Sequence, residues 1–92
     1  MAYTVTTTKR FEKSVEKMKK RGLPMEALRD VINQLMQSGS LPMQYRPHKL
    51  KGFKGNNIWE CHIQPDWLLV WEQNDSVFTL LLMDTGTHSD LF

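Results

Sequence analysis

The feature that most constrains the fold is a change in the spacing of apolar residues near residue 47. Before it, apolar residues recur at the spacing of one helix face. After it, they follow the two-residue period of strands or form short apolar runs. A chain of 92 residues has room for one small core. The sequence therefore predicts a single domain, residues 1–92, that joins helices to a sheet.

The helical part is predicted to be an antiparallel pair. Thr8 can cap a helix that begins at Lys9 and ends at Gly22, after a basic last turn. Pro24 suits the first turn of a second helix, which ends at 38–40. A connection this short forces an αα-hairpin. The apolar stripes comprise Phe11, Val15 and Met18 in the first helix and Leu28, Val31, Ile32 and Leu35 in the second.

The remaining segments predict a sheet. β-Branched and aromatic residues indicate strands at Tyr3–Thr7, Ile58–Ile63, Trp67–Glu72 and Ser76–Met83. A further short strand is expected at His48–Lys51. Turns or irregular segments are expected at 41–47, 52–57, 64–66, 73–75 and 84–87, with a short terminal segment at 88–92. The predicted class is α+β in the order β-α-α-β-β-β-β, with a mostly antiparallel sheet packed against the N-terminal αα-hairpin.

Charge is distributed unevenly along the chain. Residues 1–54 carry twelve basic and four acidic groups, whereas residues 55–92 carry six acidic groups and no lysine or arginine. The first part therefore has a net charge of +8 and the second of −6. Such an asymmetry favours one surface that binds a polyanion such as RNA, although a solvated basic helix face is an equally simple interpretation.

Several classes of protein are disfavoured by composition. The single cysteine, Cys61, excludes an internal disulfide and a cysteine-based zinc site, and is interpreted as a small buried hydrophobic residue. The first residues lack the apolar stretch of a signal peptide, and no run approaches the ~18 apolar residues of a membrane helix. We expect a soluble, cytoplasmic protein that does not associate with membranes.

Titratable side chains interrupt the most apolar part of the chain. In ECHIQPDW, residues 60–67, strand alternation places Glu60 and His62 on one face. Trp59, Cys61 and Ile63 share the other face, which we expect to pack under the helices. Asp66, just past the predicted turn, can approach the open face.

Each titratable residue also has a purely structural interpretation. An isolated histidine such as His48 is usually a surface residue, Asp66 after a proline usually bonds backbone amides, and Glu60 on an open strand face is usually solvated. Three histidines with carboxylates could hold zinc, but no pair has the spacing of a known zinc motif. No metal and no other cofactor is expected.

Three separated motifs carry a resemblance to a known family. HKLKG at 48–52, ECHIQPDWLLVW at 60–71 and TGTHSDLF at 85–92 occur in this order. With them the chain resembles, over essentially its whole length, the YafQ-like branch of the RelE superfamily. These proteins are toxins of bacterial type II toxin–antitoxin pairs. The resemblance implies a small RelE-like fold.

The resemblance also implies an activity and partners. The activity is that of a metal-independent endoribonuclease that cleaves mRNA in the ribosomal A site and so inhibits translation. The implied partners are the ribosome with its mRNA and a DinJ- or RelB-like antitoxin, with operator DNA contacted only through the antitoxin. The positions that match the family's working residues are His48, Glu60, His62, Asp66, His88 and Phe92.

Cleavage of this kind needs no cofactor, because the 2′-hydroxyl of the RNA attacks the adjacent phosphorus and leaves a 2′,3′-cyclic phosphate. The protein must take one proton and supply another, and groups that titrate near neutrality serve both steps. No lysine or arginine occurs after residue 54, so histidine and carboxylate must transfer the protons. We assign His48 or His62 with Asp66 to the base side, and His88 to the general acid.

The other candidates have supporting roles. Glu60 is expected to orient the network around His62, and the ring of Phe92 offers a face on which a base can stack. Phosphates are expected to be held near His48 by Arg46, Lys49, Lys51 and Lys54. The exposed face of the first helix is expected to contact rRNA through Lys9, Lys13 and Lys17.

Two positions depart from the family pattern. Asp84 and Trp59 stand where many relatives carry arginine. If those arginines stabilise the phosphorane, this duty must pass to Lys51, Lys54 or Arg46, or activity is reduced. The alternative hypothesis is therefore a catalytically weak homologue that acts mainly in an antitoxin complex on operator DNA. A third, gyrase poisoning as in a related branch, is disfavoured by the three histidines.

Overall fold

The computed structural model describes residues 2–51 and 57–92. In these residues a five-stranded sheet is packed against two long helices. The strands are β1 (Thr4–Thr7), β2 (His48–Lys49), β3 (Ile58–Gln64), β4 (Trp67–Asn74) and β5 (Thr79–Gly86). The helices are α1 (Lys9–Lys20), α2 (Met25–Ser38) and α3 (His88–Leu91), with one 3₁₀ turn at Met43–Tyr45. The predicted α+β class and helical hairpin are confirmed.

The sheet has the strand order β1-β5-β4-β3-β2. Strands β2 to β5 pair with their neighbours in antiparallel fashion, and β1 is parallel to β5 at the opposite edge. The register shifts once between β3 and β4, at His62–Gln64, and once between β4 and β5, at Val70–Trp71. Such irregularities re-aim side chains, and the first of them lies at a candidate site residue.

The helix boundaries follow local capping signals. The hydroxyl of Thr8 accepts a hydrogen bond from the backbone amide of Phe11 at 3.0 Å and donates one to the carbonyl of Met83 at 2.9 Å. The predicted cap therefore also ties α1 to β5. Helix α2 ends at Gly39, which adopts a left-handed conformation with φ of 70°. Pro24 lies just outside α2, as its N-cap, without a side-chain cap bond.

One core lies between the sheet and the long helices. The largest fully buried side chains include Trp67, Trp71 and Met18, and Cys61 is buried as predicted. Trp59 is partly buried and stacks on Trp71, with ring centroids 6.3 Å apart. The face of β3 that carries Cys61 and Ile63 is therefore the helix-side face, as strand alternation predicts.

The sequence pattern predicts that the last strand begins at Ser76, but β5 begins at Thr79. Ser76–Phe78 belong to the β4–β5 turn, because the side chain of Asn74 accepts hydrogen bonds from the amides of Ser76 and Val77 and Phe78 has φ of 53°. The predicted turn at 73–75 is correspondingly wrong, since β4 continues to Asn74.

The predicted loop at 84–87 is also wrong, because β5 extends to Gly86. Thr85 is buried there, and its hydroxyl accepts a hydrogen bond from Trp67 Nε1 at 2.9 Å and donates one to the carbonyl of Leu68 at 2.6 Å. These partners lie on β4 and make a polar residue compatible with a buried strand. The terminal segment is a short helix, α3. The turn predicted at 52–57 lies, except for Asn57, outside the described residues.

No helix in the described ranges combines the length and apolarity needed to cross a membrane.

Two glycines with left-handed backbones allow a test of the packing. A methyl group on Gly39 would lie 2.6 Å from the ring of Tyr3, whereas one on Gly22 would meet nothing within 4 Å. We expect Gly22→Ala to lower the free energy of unfolding by about 1–2 kcal/mol, the cost of the left-handed conformation alone. Gly39→Ala also displaces Tyr3 from its 2.6 Å hydrogen bond to Asp75 and should cost about 3 kcal/mol or more. Urea denaturation measures both, and equal losses would contradict this packing.

Candidate active site

Glu60 and His62 lie on the face of β3 opposite the helices, as predicted, but this face is not open along its length. Glu60 is only 5% exposed, so its interpretation as a solvated carboxylate is wrong. Leu68 and Val70, which pair with His62 and Glu60, are buried as well. Burial of a carboxylate beside apolar side chains is costly unless it has a partner. The structure therefore places Glu60 in a setting where a partner is required.

That partner is His48 on the edge strand, whereas the sequence predicted that Glu60 orients the network around His62. The pairing of β2 with β3 sets His48 opposite Glu60, and His48 Nε2 lies 3.3 Å from Glu60 Oε1. The other ring nitrogen, Nδ1, is 3.0 Å from the carbonyl oxygen of Arg46. Both nitrogens of His48 thus face acceptors, and a carbonyl can only accept, so Nδ1 carries the hydrogen. The other carboxylate oxygen, Glu60 Oε2, is buried without a hydrogen-bond partner in the described residues.

A second histidine–carboxylate pair lies at the end of β5. Asp66 Oδ1 is 2.9 Å from His88 Nδ1 and also accepts a 3.2 Å hydrogen bond from the backbone amide of His88. These two bonds hold the pKa of the Asp66 carboxyl below its usual value, with the side-chain bond as the larger cause. Because an ionised carboxylate only accepts, His88 Nδ1 must be the protonated nitrogen. Nε2 of His88 is therefore the atom placed for proton exchange.

His62 connects the two pairs. It lies two residues from Glu60 on the same face of β3, and its ring centroid is 5.9 Å from that of His88. His62 Nδ1 is 3.2 Å from the carbonyl oxygen of Pro65 in the β3–β4 turn, which again assigns the hydrogen to Nδ1. A neutral His62 in this tautomer has its lone pair on Nε2.

Phe92 follows His88 by one helical turn. Its amide donates to the carbonyl of His88 at 2.9 Å, and its side chain is 64% exposed. The helix begins with a capping box, in which the Thr87 hydroxyl accepts from the amide of Asp90 and the Asp90 carboxylate accepts from the amide of Thr87. The structure thus brings five of the predicted residues onto one side of the sheet, with Phe92 exposed beside them. The five are His48, Glu60, His62, Asp66 and His88.

The basic candidates are divided between two sides of the molecule. Arg46 and Lys49 are exposed near His48, and Lys51 is exposed just beyond β2. Lys9, Lys13 and Lys17 are exposed on α1, which covers the opposite, helix-side face of the sheet. Lys54 lies outside the described residues.

Asp84, which replaces an expected arginine, is turned toward α1. Its carboxylate oxygens accept a 2.6 Å hydrogen bond from Ser14 and a 2.9 Å bond from Arg10 Nε. The negative charge is therefore paired on the helix side and is not added to the histidine face.

Two grooves differ in their relation to the histidines. One of about 320 Å³ lies between Gln44–Arg46 and Ile63–Pro65 and has His62 in its wall. A larger one, about 780 Å³, lies toward the other end of β4, where Lys49 faces Glu72 and Asp75. The two carboxylates of the larger groove repel the phosphates of a nucleic acid. The smaller groove is therefore the better candidate for an extension of the histidine site.

Neither a cysteine nucleophile nor a metal cluster is present in the part of the chain that the structure describes. Burial raises the pKa of the Cys61 thiol to about 12, which leaves it protonated and inert at neutral pH. No group of three or more histidine, cysteine, aspartate or glutamate side chains among the described residues is arranged to hold a metal ion.

Comparison of the sequence with known protein families identifies the family of this chain. Residues 3–92 match the family described as the bacterial toxin of type II toxin–antitoxin systems, YafQ. The chain belongs to the YafQ toxin family. The resemblance seen in its motifs is confirmed. Comparison with curated proteins gives no match.

Solved YafQ-like structures share the whole fold. The chain is 28% identical to YafQ in the E. coli DinJ–YafQ toxin–antitoxin complex, with a TM-score of 0.90 over 100% of this chain and 99% of that one. It is 36% identical to a metal-bound toxin from Helicobacter pylori, with a TM-score of 0.88 and 100% of both chains covered. A further YafQ structure from E. coli is 27% identical, with a TM-score of 0.86 and 98% of each chain covered.

Two residues of this YafQ-family chain were missed by sequence reasoning. Asp90 forms the capping box of α3, and Arg21 at the end of α1 makes an ion pair with it. The spacing of Thr87 and Asp90 is a helix-start signal that could have revealed α3. Nothing in the sequence relates Arg21 to Asp90, because 69 positions separate them.

The Asp66–His88 pair predicts a pH-dependent contribution to stability. A carboxyl whose pKa is lowered by folding stabilises the protein above its unfolded pKa, about 3.9, and this stabilisation is lost as the pH falls through the folded value. We expect Asp66→Asn to be less stable than the natural protein at pH 6, with a difference that shrinks below about pH 4. Urea denaturation from pH 6 to pH 3 measures the difference, and Asp30→Asn on α2 controls for the lost charge. A difference that is constant with pH would refute the pairing.

Proposed function

We propose that this YafQ-family toxin is a ribosome-dependent endoribonuclease that cleaves mRNA in the ribosomal A site. The observation that carries the proposal is the pair of imidazole rings of His62 and His88, 5.9 Å apart on one sheet face, with Asp66 bonded to His88. With hydrogen bonds of roughly 2.7–3.2 Å, one phosphate group can contact both rings.

His62 is the better base of the two that the sequence left open. Its Nδ1 is engaged by the carbonyl of Pro65, which leaves the lone pair on Nε2. His48, by contrast, has an acceptor at each nitrogen, Arg46 on one side and Glu60 on the other. In the proposed reaction, His62 Nε2 takes the proton of the 2′-hydroxyl as its oxygen bonds to phosphorus.

His88 is the general acid of the same reaction. The sequence assigned Asp66 to the base side, but its 2.9 Å contact with His88 Nδ1 favours the acid side. There it is a suitable partner for an imidazolium ring and orients Nε2 toward the leaving group. His88 gives its Nε2 proton to the 5′-oxygen as the phosphorus–oxygen bond breaks, and the product carries a 2′,3′-cyclic phosphate. The substrate supplies the nucleophile, so the proposed reaction requires no metal ion.

Residues at the edges of the site are proposed to bind the RNA. The exposed ring of Phe92 can stack on a base beside the scissile phosphate. Arg46, which lines the same groove as His62, can hold a phosphate and balance the phosphorane, and Lys51 just beyond β2 can supply a second cation. Lys49 lines the other groove with Glu72 and Asp75 and is not part of this proposal. Glu60 acts through His48 rather than on the substrate, because it is buried. The lysines of α1 are proposed to contact rRNA.

A DinJ- or RelB-like antitoxin is the proposed protein partner. The support is the 28% identity, over nearly complete chains, with the YafQ that forms the E. coli DinJ–YafQ complex. Operator DNA would be contacted only through this antitoxin.

One observation favours the alternative, a catalytically weak toxin that acts mainly in its antitoxin complex. Asp84 stands where many relatives have arginine, and it is committed to Ser14 and Arg10 on the helix side. A missing guanidinium can cost roughly 2.7–4 kcal/mol of transition-state stabilisation. The alternative therefore differs from the main proposal in rate, and the cleavage assay separates them.

The general-acid role of His88 is tested in single-turnover cleavage of mRNA on programmed ribosomes. We expect His88→Ala to cleave about 10²–10⁴-fold more slowly, because one proton transfer is lost. The matched control is Ser89→Ala, which alters the neighbouring exposed position of α3 and should cleave at the natural rate. Cells should tolerate expression of His88→Ala and not of the control.

Two results would contradict the proposal. A variant with alanine at His48, His62 and His88 that remains as toxic as the natural protein would exclude the histidine mechanism. Intact mRNA after incubation with the natural protein, together with tight binding of the antitoxin, would select the weak homologue instead.

A further inference from the structure

Helix α3 begins at His88 and is followed by Phe92, both candidate site residues, but it is too short to be stable alone. It has four residues, His88–Leu91, and none of them is buried. Isolated helices shorter than about 12 residues are marginal in water. Apolar packing of α3 is limited to the half-buried Leu91, so polar contacts must contribute to the position of His88 and Phe92.

Those polar contacts converge on Asp90. Its Oδ2 accepts hydrogen bonds of 2.9 Å from both the amide and the hydroxyl of Thr87, at the start of the helix. The same carboxylate receives Arg21 Nη1 at 2.7 Å and Nη2 at 3.0 Å, one on each oxygen. A fork of two parallel bonds fixes orientation as well as distance. The pKa of Asp90 is held well below its usual value, with Arg21 as the first cause.

Arg21 itself is anchored at the end of α1, although its side chain is partly exposed. It is the C-cap residue of α1, and its backbone amide donates to the carbonyl of Lys17 at 3.1 Å. Its Nη1 lies 4.0 Å from the sulfur of Met18, which is fully buried. The guanidinium is therefore attached to a rigid helix end on one side and to the short terminal helix on the other.

We propose that Arg21 and Asp90 are positioning residues, an ionic latch that holds α3 so that His88 and Phe92 meet the RNA. The expected effect on RNA cleavage rests on the proposed endoribonuclease function, whereas the contact between Arg21 and Asp90 does not. A shift of about 1 Å in a catalytic group can cost roughly a hundredfold in rate. Asp66 also holds His88, but it lies in the β3–β4 turn and fixes only the start of α3, so the end that carries Phe92 depends on the latch.

The latch is tested by removing the fork and measuring rate and motion separately. We expect Arg21→Ala to lower the single-turnover cleavage rate roughly ten- to a hundredfold, while the concentration of ribosomes that gives half-maximal rate changes by less than about twofold. Arg21→Lys keeps a charge but not the fork and should recover part of the rate. Asp90→Asn keeps an oxygen for Thr87 and should resemble Arg21→Ala.

The physical readout is ¹⁵N relaxation of the Leu91 and Phe92 amides in the free protein. Arg21→Ala should increase their picosecond–nanosecond motion, and millimolar guanidinium ion should partly restore both order and rate. The matched control is Arg29→Ala, which removes one exposed arginine from α2 and should leave both readouts as in the natural protein.

Two outcomes would overturn the latch. Arg21→Ala that cleaves like Arg29→Ala, with equally ordered terminal amides, would show that the ion pair positions nothing. A slow Arg21→Ala whose terminal amides keep their order would show that Arg21 acts on the RNA directly. If the natural protein leaves mRNA intact, the endoribonuclease proposal fails, and the relaxation data alone decide whether the latch orders α3.

Discussion

The alternation of β3, a strand buried on both faces, is the constraint on which the rest of the structure depends. Cys61 and Ile63 enter the helix-side core, so Glu60 and His62 must face the other way. A shift of one residue would exchange these sets and place a carboxylate and an imidazole among the tryptophans. The core therefore fixes the register, and the register fixes the candidate site.

The site is assembled from parts of the chain that are remote in sequence. Strand β2 places His48 beside Glu60. The β3–β4 turn carries Asp66, and α3, which follows β5, places His88 beside that aspartate. The contacts that assemble the site are polar, and few of them are deeply buried. Hydrogen bonds therefore fix the positions of its side chains. The terminal helix is the extreme case, because it has no buried residue. The sheet supports the site, and the polar contacts set the positions of its titratable groups.

Local signals in the sequence predicted the helices and the faces of β3, because capping and alternation depend on neighbouring residues. The errors arose where a distant partner decides the outcome. Thr85 is typical of a loop, but Trp67 and the carbonyl of Leu68 bury it in β5. Glu60 is typical of an exposed strand, but His48 on β2 makes its burial possible. Arg21 gives no local sign of its bond to Asp90.

A double-mutant cycle on Asp66 and His88 tests most directly whether these groups act as one unit. The measurement is single-turnover mRNA cleavage by Asp66→Asn, His88→Ala and the double variant on programmed ribosomes. If Asp66 acts only through His88, the double variant cleaves no more slowly than His88→Ala alone. If the two losses in activation free energy simply add, the groups act independently, and the site described here is not a single catalytic unit.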